Sequence, residues 1–210
     1  MASAPPRTPP KLTDLPLLVE TPRLRLRPLE LGDTDALFAL ASDPEVAKTM
    51  SWDAHRDRTD TVAFLERMLT TRNEGTSIGW AILLEGKPIG VISIDGIRWD
   101  FRAWRVDRAE MGYWLGRPHW GQGIMSEAAT AALRFAFETL GLHKVTIGCV
   151  EGNAGSQAII EKLGFRYLAI FEEDFWRFGR WWSHRRYELT AGEYADSTRT
   201  MKFSRPRPVS

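Results

Sequence analysis

Alternating and helically spaced apolar residues divide the chain into strands and helices. Within residues 18–29, leucine alternates with arginine, which is the period-two pattern of a half-buried strand. Asp33 then stands where it would cap a helix, and the helical spacing of apolar residues over 57–72 predicts another. Two apolar runs around a glycine turn predict a hairpin over 77–97. Residues 97–108 are rich in Trp and Arg and show no clean period.

In the second half of the chain, strands and helices alternate. Apolar runs at 109–115 and 143–150 predict two strands, each followed by a helical pattern, at 124–140 and 153–164. Residues 165–191 predict a second hairpin. The resulting order is strand, two helices, three strands, helix, strand, helix and two strands, which indicates a mixed α+β fold.

The chain is expected to form one domain over residues 17–194, because no repeat or linker interrupts this stretch. The proline-rich residues 1–16 are predicted to be a disordered lead, and residues 195–210 a disordered tail. No apolar run reaches the roughly 20 residues of a membrane-spanning helix. The N-terminus lacks the apolar core of a signal peptide. We therefore expect no membrane partner.

Composition and charge narrow the function classes. The 210 residues include 28 basic and 27 acidic side chains, a net charge of +1, which gives no basis for nucleic-acid binding. The single cysteine, Cys149, lies in an apolar run and is expected to be buried. It excludes an internal disulfide and fits a reducing, cytoplasmic setting. The four histidines lack metal-ligand spacing, so no metal is expected.

The segment RPHWGQGIMSEA (117–128) places two glycines between a predicted strand and a predicted helix. A helix N-terminus offers free N–H groups, and Gly121 and Gly123 would let a phosphate approach without meeting a Cβ. An ordinary turn that needs a positive φ would show the same residues. A P-loop is excluded because Ile124 and Met125 replace its Lys and Ser or Thr, and Met125 also replaces the third glycine of a dinucleotide fingerprint.

A further motif follows the next strand: NAGSQAIIEKLGF, residues 153–165. With ETPRLRLRPL, EMGYWL and GQGIMSEA, in this order and spacing, it resembles the GCN5-related N-acetyltransferase (GNAT) superfamily and, within it, the ribosomal-protein alanine acetyltransferase (RimJ/RimL) branch. The resemblance covers residues 17–191. It implies an α+β GNAT fold, with flanking helices on a central mixed, mostly antiparallel twisted sheet of about seven strands. Splayed strands 4 and 5 would hold acetyl-CoA.

The resemblance also implies which residues bind the co-substrate. Free N–H groups near Trp114 and Leu115 would bind the pantetheine arm and polarise the thioester carbonyl, and Asn153 would touch the pantetheine amides. The family usually has Arg or Gln before the first glycine, where this chain has Trp120, so a side chain is lost but the backbone donors remain. The pyrophosphate would lie over Gly121, Gln122, Gly123, Ile124, Met125 and Ser126.

Glu110 and Ser156 are the predicted catalytic residues. Glu110 begins the strand that would carry the thioester, and it would accept the proton of the acceptor amine directly or through a water. The alternative is a surface or structural glutamate, paired for example with Arg108. Many members of the superfamily use a tyrosine where Ile160 stands, so the Ser156 hydroxyl is instead expected to donate to the leaving sulfur. The alternative is a serine that satisfies its helix start.

The acceptor is expected opposite the co-substrate, where aromatic and arginine-rich segments gather. Trp52, His55, Trp99 and Trp104 are the candidate substrate-binding residues. We expect a protein N-terminal α-amine or a small-molecule amine to attack directly in a ternary complex. An α-amine, with a pKa of about 8, is already partly neutral at pH 7 and asks little of a base.

Other hypotheses remain beside the enzyme. A non-catalytic acyl-CoA-binding sensor or interaction module is favoured by Ile160 and Trp120, whereas the joint presence of Glu110, Asn153 and Ser156 favours catalysis. A nucleic-acid-binding domain is the weakest hypothesis, because the net charge is near neutral. A homodimer through an edge strand or the late hairpin is also expected, since its aromatic side chains would be partly exposed.

Overall fold

A computed structural model describes residues 8–203. Its centre is one eight-stranded sheet with the order β1-β2-β3-β4-β5-β6-β8-β7. All neighbouring strands are antiparallel except β5 and β6, which are parallel. The strands are β1 (Val19–Glu20), β2 (Leu24–Pro28), β3 (Ile78–Leu84), β4 (Lys87–Phe101), β5 (Trp104–Leu115), β6 (Lys144–Val150), β7 (Arg166–Arg177) and β8 (Arg180–Thr190).

Helices flank this sheet and complete a mixed, mostly antiparallel α+β fold, which confirms the predicted fold class. A π-helical turn at Phe135–Thr139 continues the fourth helix, and short 3-10 turns lie at Leu12–Asp14, Leu31–Asp33 and Arg117–His119. The α-helices are α1 (Thr34–Ala41), α2 (Pro44–Ala47), α3 (Arg58–Asn73), α4 (Ile124–Arg134), α5 (Ala154–Lys162) and α6 (Ala191–Phe203).

The strand count exceeds the prediction because the alternating run at 18–29 forms two strands. The Thr21 N–H donates to the Leu24 carbonyl oxygen (2.9 Å), and the Leu24 N–H donates to the Thr21 hydroxyl (2.9 Å). Pro22, which lacks an N–H, lies inside this turn. The two segments therefore fold back on each other as β1 and β2.

The segment at 97–108, which shows no period in the sequence, forms the outer part of the β4–β5 hairpin. Register shifts occur between Asp95 and Arg98 and between Arg98 and Asp100. Each extra residue moves the following side chains to the opposite face of the sheet, so the alternation of apolar and polar residues is lost. At the hairpin turn, Arg102 adopts a φ of 57°.

Asp33 precedes α1 but does not cap it, so that prediction is wrong. Its carboxylate accepts a hydrogen bond from the Glu30 N–H (3.0 Å) within the 3-10 turn and pairs with Arg27 at 2.5 Å. Asp33 is buried, and this pairing satisfies its charge. The carboxylate therefore fixes β2 to the start of the helical segment instead of capping the helix.

Apolar side chains are buried on both faces of the sheet. Met111 and Cys149 belong to the larger core, which lies on the side of α4 and α5. Leu65 and Trp114 belong to a smaller core on the side of α1 and α3. Because side chains alternate along β5, this strand contributes to both cores. The predicted burial of Cys149 is confirmed.

The described structure extends past both predicted domain boundaries. Leu12, inside the predicted lead, is buried in the larger core, and α6 continues to Phe203, beyond the predicted domain end at residue 194. Residues 1–7 and 204–210 of the predicted lead and tail lie outside the described residues. Within residues 8–203, no helix combines the length and the apolarity that a membrane crossing requires.

The close approach of β4 to β5 gives a test of the fold at Gly90. A Cβ at this position would lie 2.5 Å from the Trp114 carbonyl oxygen and 2.9 Å from the Leu115 Cα, both of which are backbone atoms. We expect Gly90→Ala to lower the free energy of unfolding by about 2 kcal/mol, because the backbone must shift. Denaturant titration measures this loss, and Gly32→Ala, which meets nothing within 4 Å, is the control. Equal stability of both variants would contradict the prediction.

Candidate functional site

β5 and β6 pair over a short stretch and then separate. Residues 108–110 lie opposite residues 144–146. Beyond them, β5 stays beside β4 as far as Leu115, and β6 stays beside β8 as far as Val150. The two strands therefore leave a wedge-shaped gap, in which the facing backbone groups have no strand partner.

The direction of the N–H groups identifies the free donors along β5. The Gly116 N–H donates to the Ile89 carbonyl oxygen at the edge of β4 (2.9 Å). Successive N–H groups of a strand point to opposite neighbours, so those of Leu115 and Tyr113 point into the gap, whereas that of Trp114 points to β4. Of the two predicted donors, Leu115 has the required direction, and Tyr113 is a donor that the sequence did not indicate.

The glycine joint at the start of α4 has an open backbone. Gly121 and Gly123 adopt φ values of 71° and 72°, and the helix begins at Ile124 without a side-chain cap. A Cβ at Gly121 would meet no atom within 4 Å. The backbone of the joint is thus open at Gly121, and Ile124, Met125 and Ser126 form the first turn of the helix.

An arginine on the β1–β2 side holds this joint in place. The Arg23 guanidinium donates to the Gln122 carbonyl oxygen (3.0 Å) and pairs with Glu127 on α4 at 2.6 Å. The Thr21 hydroxyl also donates to Glu127, at 2.6 Å. Burial, the largest single influence, raises the pKa of Glu127. The hydrogen bonds from Thr21 and Arg23 together outweigh it, so the pKa of Glu127 is lowered. Thr21 and Arg23 belong to the motif ETPR, and Glu127 belongs to the motif GQGIMSE. The joint occurrence of these two motifs is the sequence signal that would have indicated the contact.

The side chains of Trp120 and Gln122 fold back onto the protein. The Trp120 indole N–H donates to the Leu115 carbonyl oxygen (2.7 Å), and the Gln122 amide donates to the Pro118 carbonyl oxygen (2.9 Å). Trp120 therefore fixes the end of β5, and both side chains donate to carbonyl oxygens of the protein itself.

Two hydroxyl groups meet on the α5 side of the gap. Asn153 caps α5, because its side-chain oxygen accepts the Ser156 N–H (3.1 Å), while its amide donates to Thr49 (3.1 Å). The Ser156 hydroxyl lies 3.0 Å from the Tyr113 hydroxyl on β5. Burial raises the pKa of Tyr113 to about 12, so this hydroxyl stays protonated at neutral pH. The pair can donate a hydrogen bond into the gap.

Two carboxylates lie on the opposite face of the sheet. Glu110 on β5 stands across from Asp95 on β4, and Gly112 keeps this region open, since a Cβ there would lie 3.4 Å from an Asp95 oxygen. Glu110 is half exposed and pairs with Arg186 on β8 at 2.7 Å, not with Arg108. This ion pair reaches across β6 next to the mouth of the gap.

Asp95 is the more buried member of the carboxylate pair. Burial raises its pKa, hydrogen bonds from Ser93 and Ser77 lower it, and the charge of Glu110 raises it further. The net result is a pKa above the ordinary value for aspartate. A buried carboxylate with raised proton affinity beside a second carboxylate is suited to accepting a proton. The sequence did not indicate Asp95, because the bulge next to it obscures its face.

A cavity of 630 Å³ opens on this same face, between α3 and β5. Trp52, His55, Phe64 and Trp114 form its aromatic wall. The Trp52 ring lies 5.6 Å from the Trp114 ring and 5.2 Å from the His55 ring. Burial lowers the pKa of His55, so its imidazole is neutral near pH 7, and its Nδ1 bonds the Thr61 hydroxyl (2.8 Å).

The structure separates the four predicted acceptor residues. Trp52 and His55 line the cavity, whereas Trp99 and Trp104 lie on the outer β4–β5 hairpin. Trp99 packs against the larger core, and Trp104 is 70% exposed beside Phe101. Trp114, predicted through its backbone, instead contributes its ring to the cavity.

The loop after α2 closes the cavity and joins it to the late hairpin. Arg177 on β7 donates to the carbonyl oxygens of Ala47 (3.1 Å), Met50 and Trp52 (2.8 Å), and it pairs with Asp53 at 2.8 Å. These four interactions engage both terminal nitrogens of its planar guanidinium. The position of Trp52 therefore depends on a residue far along the chain, which no local pattern reveals.

The arrangement provides the parts of an acyl-transfer site. The gap holds free N–H donors that can stabilise negative charge on a thioester oxygen. On one face lie a carboxylate pair and an aromatic cavity, and on the other face lie the Ser156 and Tyr113 hydroxyls. Among the described residues, no group of His, Cys, Asp and Glu is arranged to hold a metal ion.

Comparison with known proteins agrees with this geometry. The sequence model of the acetyltransferase (GNAT) domain matches residues 23–166. An uncharacterized N-acetyltransferase, p20 of Bacillus licheniformis, is 29% identical over 177 residues, which cover 83% of this chain and 97% of the relative. The putative ribosomal N-acetyltransferase YdaF of Bacillus subtilis is 35% identical over 85 residues, which cover 40% of this chain and 43% of the relative.

A solved structure shares the fold. RimL, a ribosomal L7/L12 alpha-N-protein acetyltransferase in complex with coenzyme A, superposes with a TM-score of 0.75 at 19% identity, covering 82% of this chain and 97% of RimL. At this identity the likeness concerns the fold alone.

Gly123 tests whether the joint at α4 exists to admit phosphates. A side chain there would stand over the helix N-terminus, so we expect Gly123→Val to weaken acetyl-CoA binding by about 100-fold or more. Gly75→Val is the matched control, because Gly75 has a similar φ of 76° and open surroundings but lies at the end of α3. Calorimetric titration measures both variants. Equal loss of binding in both would assign the effect to backbone strain instead.

Proposed function

The chain belongs to the GNAT acetyltransferase family. We propose that it is an N-acetyltransferase of the RimJ/RimL-like kind, which transfers acetyl from acetyl-CoA to a primary amine by direct attack in a ternary complex. The observation that carries the proposal is the gap between β5 and β6, with carboxylates on one face and hydroxyls on the other. This geometry favours catalysis over a non-catalytic acyl-CoA sensor, which would need no group to receive or supply a proton.

We assign the co-substrate to the joint and the gap. Bound acetyl-CoA supplies the acetyl thioester that the amine attacks. The N–H groups from Gly121 to Ser126 face the pyrophosphate, and those of Tyr113 and Leu115 face the pantetheine arm and the thioester oxygen. Asn153 orients the start of α5 against this arm.

The acceptor amine enters from the cavity and loses its proton to Glu110. Glu110 is half exposed on the cavity face, and Arg186 fixes its direction. Asp95 stands across from it, and burial together with the charge of Glu110 raises the pKa of Asp95. A partly neutral α-amine, of a protein N-terminus or of a small molecule, asks little of this base.

The leaving sulfur receives a hydrogen bond from Ser156. The amine nitrogen bonds to the carbonyl carbon, the carbon–sulfur bond breaks, and the Ser156 hydroxyl supplies the proton to the thiolate. Solvent then returns a proton to Ser156, and Glu110 releases the amine proton to solvent, so the protons balance over one cycle. Tyr113, whose hydroxyl lies 3.0 Å from that of Ser156, holds this hydroxyl in place and keeps its own proton. The two hydroxyls thus replace the tyrosine of other superfamily members, whose position is occupied by Ile160 in this chain.

We also propose a homodimer through the late hairpin. Phe171, Trp176, Phe178 and Trp181 expose between 51% and 61% of their surface there, and β7 is an edge strand of the sheet. Exposed aromatic side chains along an edge strand are typical of a protein contact.

Glu110 and Asp95 are expected to respond differently to substitution. Glu110→Gln removes the base and should lower kcat by about 100-fold. Asp95→Asn leaves the base in place and removes only the carboxyl whose pKa burial raises, so kcat should fall much less and the acid limb of its pH profile should remain. Glu172→Gln, an exposed position on β7, is the control. Loss of the acid limb in Asp95→Asn with little effect of Glu110→Gln would make Asp95 the base.

Ser156 and Tyr113 are expected to act as one hydrogen-bonded pair. Ser156→Ala should lower kcat by about 30-fold and Tyr113→Phe by about tenfold, because the leaving thiolate loses its proton source. The double variant should fall no further than Ser156→Ala, since both changes break the same chain. Steady-state release of CoA thiol measures these rates, with Tyr167→Phe as the control. Multiplicative losses would show that the two hydroxyls act independently.

A further inference from the structure

The charged groups that line the cavity are almost all paired. Asp53 pairs with Arg177 at 2.8 Å. Arg56 pairs with Asp60 at 3.1 Å, and its backbone N–H donates to the same carboxylate at 2.9 Å. These pairs satisfy both acids and one of the two arginines in the lining, so they leave the cavity wall with little net charge of their own.

Arg67 is the exception in this lining. Its guanidinium lies 5.7 Å from the centre of the Phe64 ring, and no carboxylate or carbonyl within the described residues pairs with it. Burial is the main cause of the lowered pKa of His55, and Asp60 opposes it. The positive charge of Arg67 lowers this pKa further. The same charge also acts weakly on Asp95. Arg67 therefore lines the cavity beside the aromatic wall with its N–H donors available.

A free guanidinium beside an aromatic wall recognises a particular ligand chemistry. Its planar donors match the two oxygens of a carboxylate or phosphate. The neutral His55 adds no competing charge, and the rings of Trp52 and Trp114 offer apolar surface to the rest of the ligand. A polycation would meet the uncompensated positive charge of Arg67 and be repelled.

We propose that the acceptor is a primary amine that also carries an anionic group, carboxylate or phosphate, which Arg67 binds while the apolar part lies on Trp52 and Trp114. This inference rests on the proposed acetyl transfer, because it concerns the acceptor side of the same site. It places the anion at α3 and the amine toward Glu110, so a single small molecule or the first residues of a peptide can span both.

Matched acceptor pairs test this inference. Phenylalanine and phenylalaninamide differ only in the carboxylate, and the amidated dipeptides Ser-Asp and Ser-Asn differ only in a side-chain acid. Acetylation of each is followed for the wild type, Arg67→Gln, Arg67→Lys and Arg58→Gln. Arg58 is the matched control, because it lies on the same helix and pairs with Asp35 outside the cavity. For each compound, kcat/KM of the wild type is divided by kcat/KM of the variant. Because both values refer to the same amine, differences in amine basicity between compounds do not affect this ratio.

We expect Arg67→Gln to lower kcat/KM for the anionic member of a pair by about tenfold, as for a partly exposed charged hydrogen bond, and to leave the neutral member unchanged. Arg67→Lys should retain part of the activity, and Arg58→Gln should match the wild type. A dependence seen with phenylalanine alone indicates a small-molecule acceptor, and one seen with the dipeptides alone indicates an acidic peptide N-terminus.

Two results would overturn the inference. One is equal loss for charged and neutral members in Arg67→Gln, which would make Arg67 structural. The other is wild-type protein that acetylates no anionic member of the panel. In both cases calorimetry with acetyl-CoA distinguishes the proposed acetyl transfer from the proposed anionic acceptor. If acetyl-CoA still binds and acetyl is transferred to any amine, the acetyltransferase function is supported even though the acceptor proposal fails. Loss of acetyl-CoA binding in the wild type would instead contradict the proposed function itself.

Discussion

The site depends on the limited pairing between β5 and β6. Only residues 108–110 and 144–146 connect the two strands, so the sheet consists of two halves, β1–β5 and β6–β8, that meet at one corner. Pairing inside each half continues past this corner, so the backbone groups of β5 and β6 that face each other across the gap have no strand partner. If β5 and β6 were paired along their whole length, these donors would hydrogen-bond to the neighbouring strand, and no space would be left for a thioester.

Other contacts hold the two halves at a fixed separation. The Glu110–Arg186 ion pair joins them on the cavity face, and the Tyr113–Ser156 hydrogen bond joins β5 to α5 on the other face. Arg177 ties the late hairpin to the loop that carries Trp52. Groups assigned to catalysis are therefore also the groups that bridge the gap. The same side chains thus serve the proposed reaction and the fold. Because Arg177 holds Trp52, the acceptor wall also combines segments that are far apart in the sequence.

The polar groups of the site are arranged by face. Alternation along β5 sends Glu110 and Trp114 to the face on which the cavity opens and Tyr113 to the face of α5, so one strand supplies the carboxylate, part of the aromatic wall and a hydroxyl. Burial separates the behaviour of these groups. Asp95 gains proton affinity, Tyr113 keeps its proton and His55 stays neutral. The cavity is left with Arg67 as its distinguishing charge.

The sequence by itself determined the fold class, the glycine joint and the two helices of the second half. These are local properties: period-two and helical spacing report which face is buried, and Gly121, Gly123 and Asn153 act on backbone within a few residues of themselves. It also marked Glu110 and Ser156 through their resemblance to a family motif. Only the tertiary structure decided that Glu110 pairs with Arg186, that Asp95, Tyr113 and Arg67 stand beside the predicted residues, and that Trp99 and Trp104 lie elsewhere. Bulges at Asp95 and Arg98 shift the faces of β4, and contacts such as Arg177 with Trp52 join residues more than a hundred positions apart, so no local pattern encodes them.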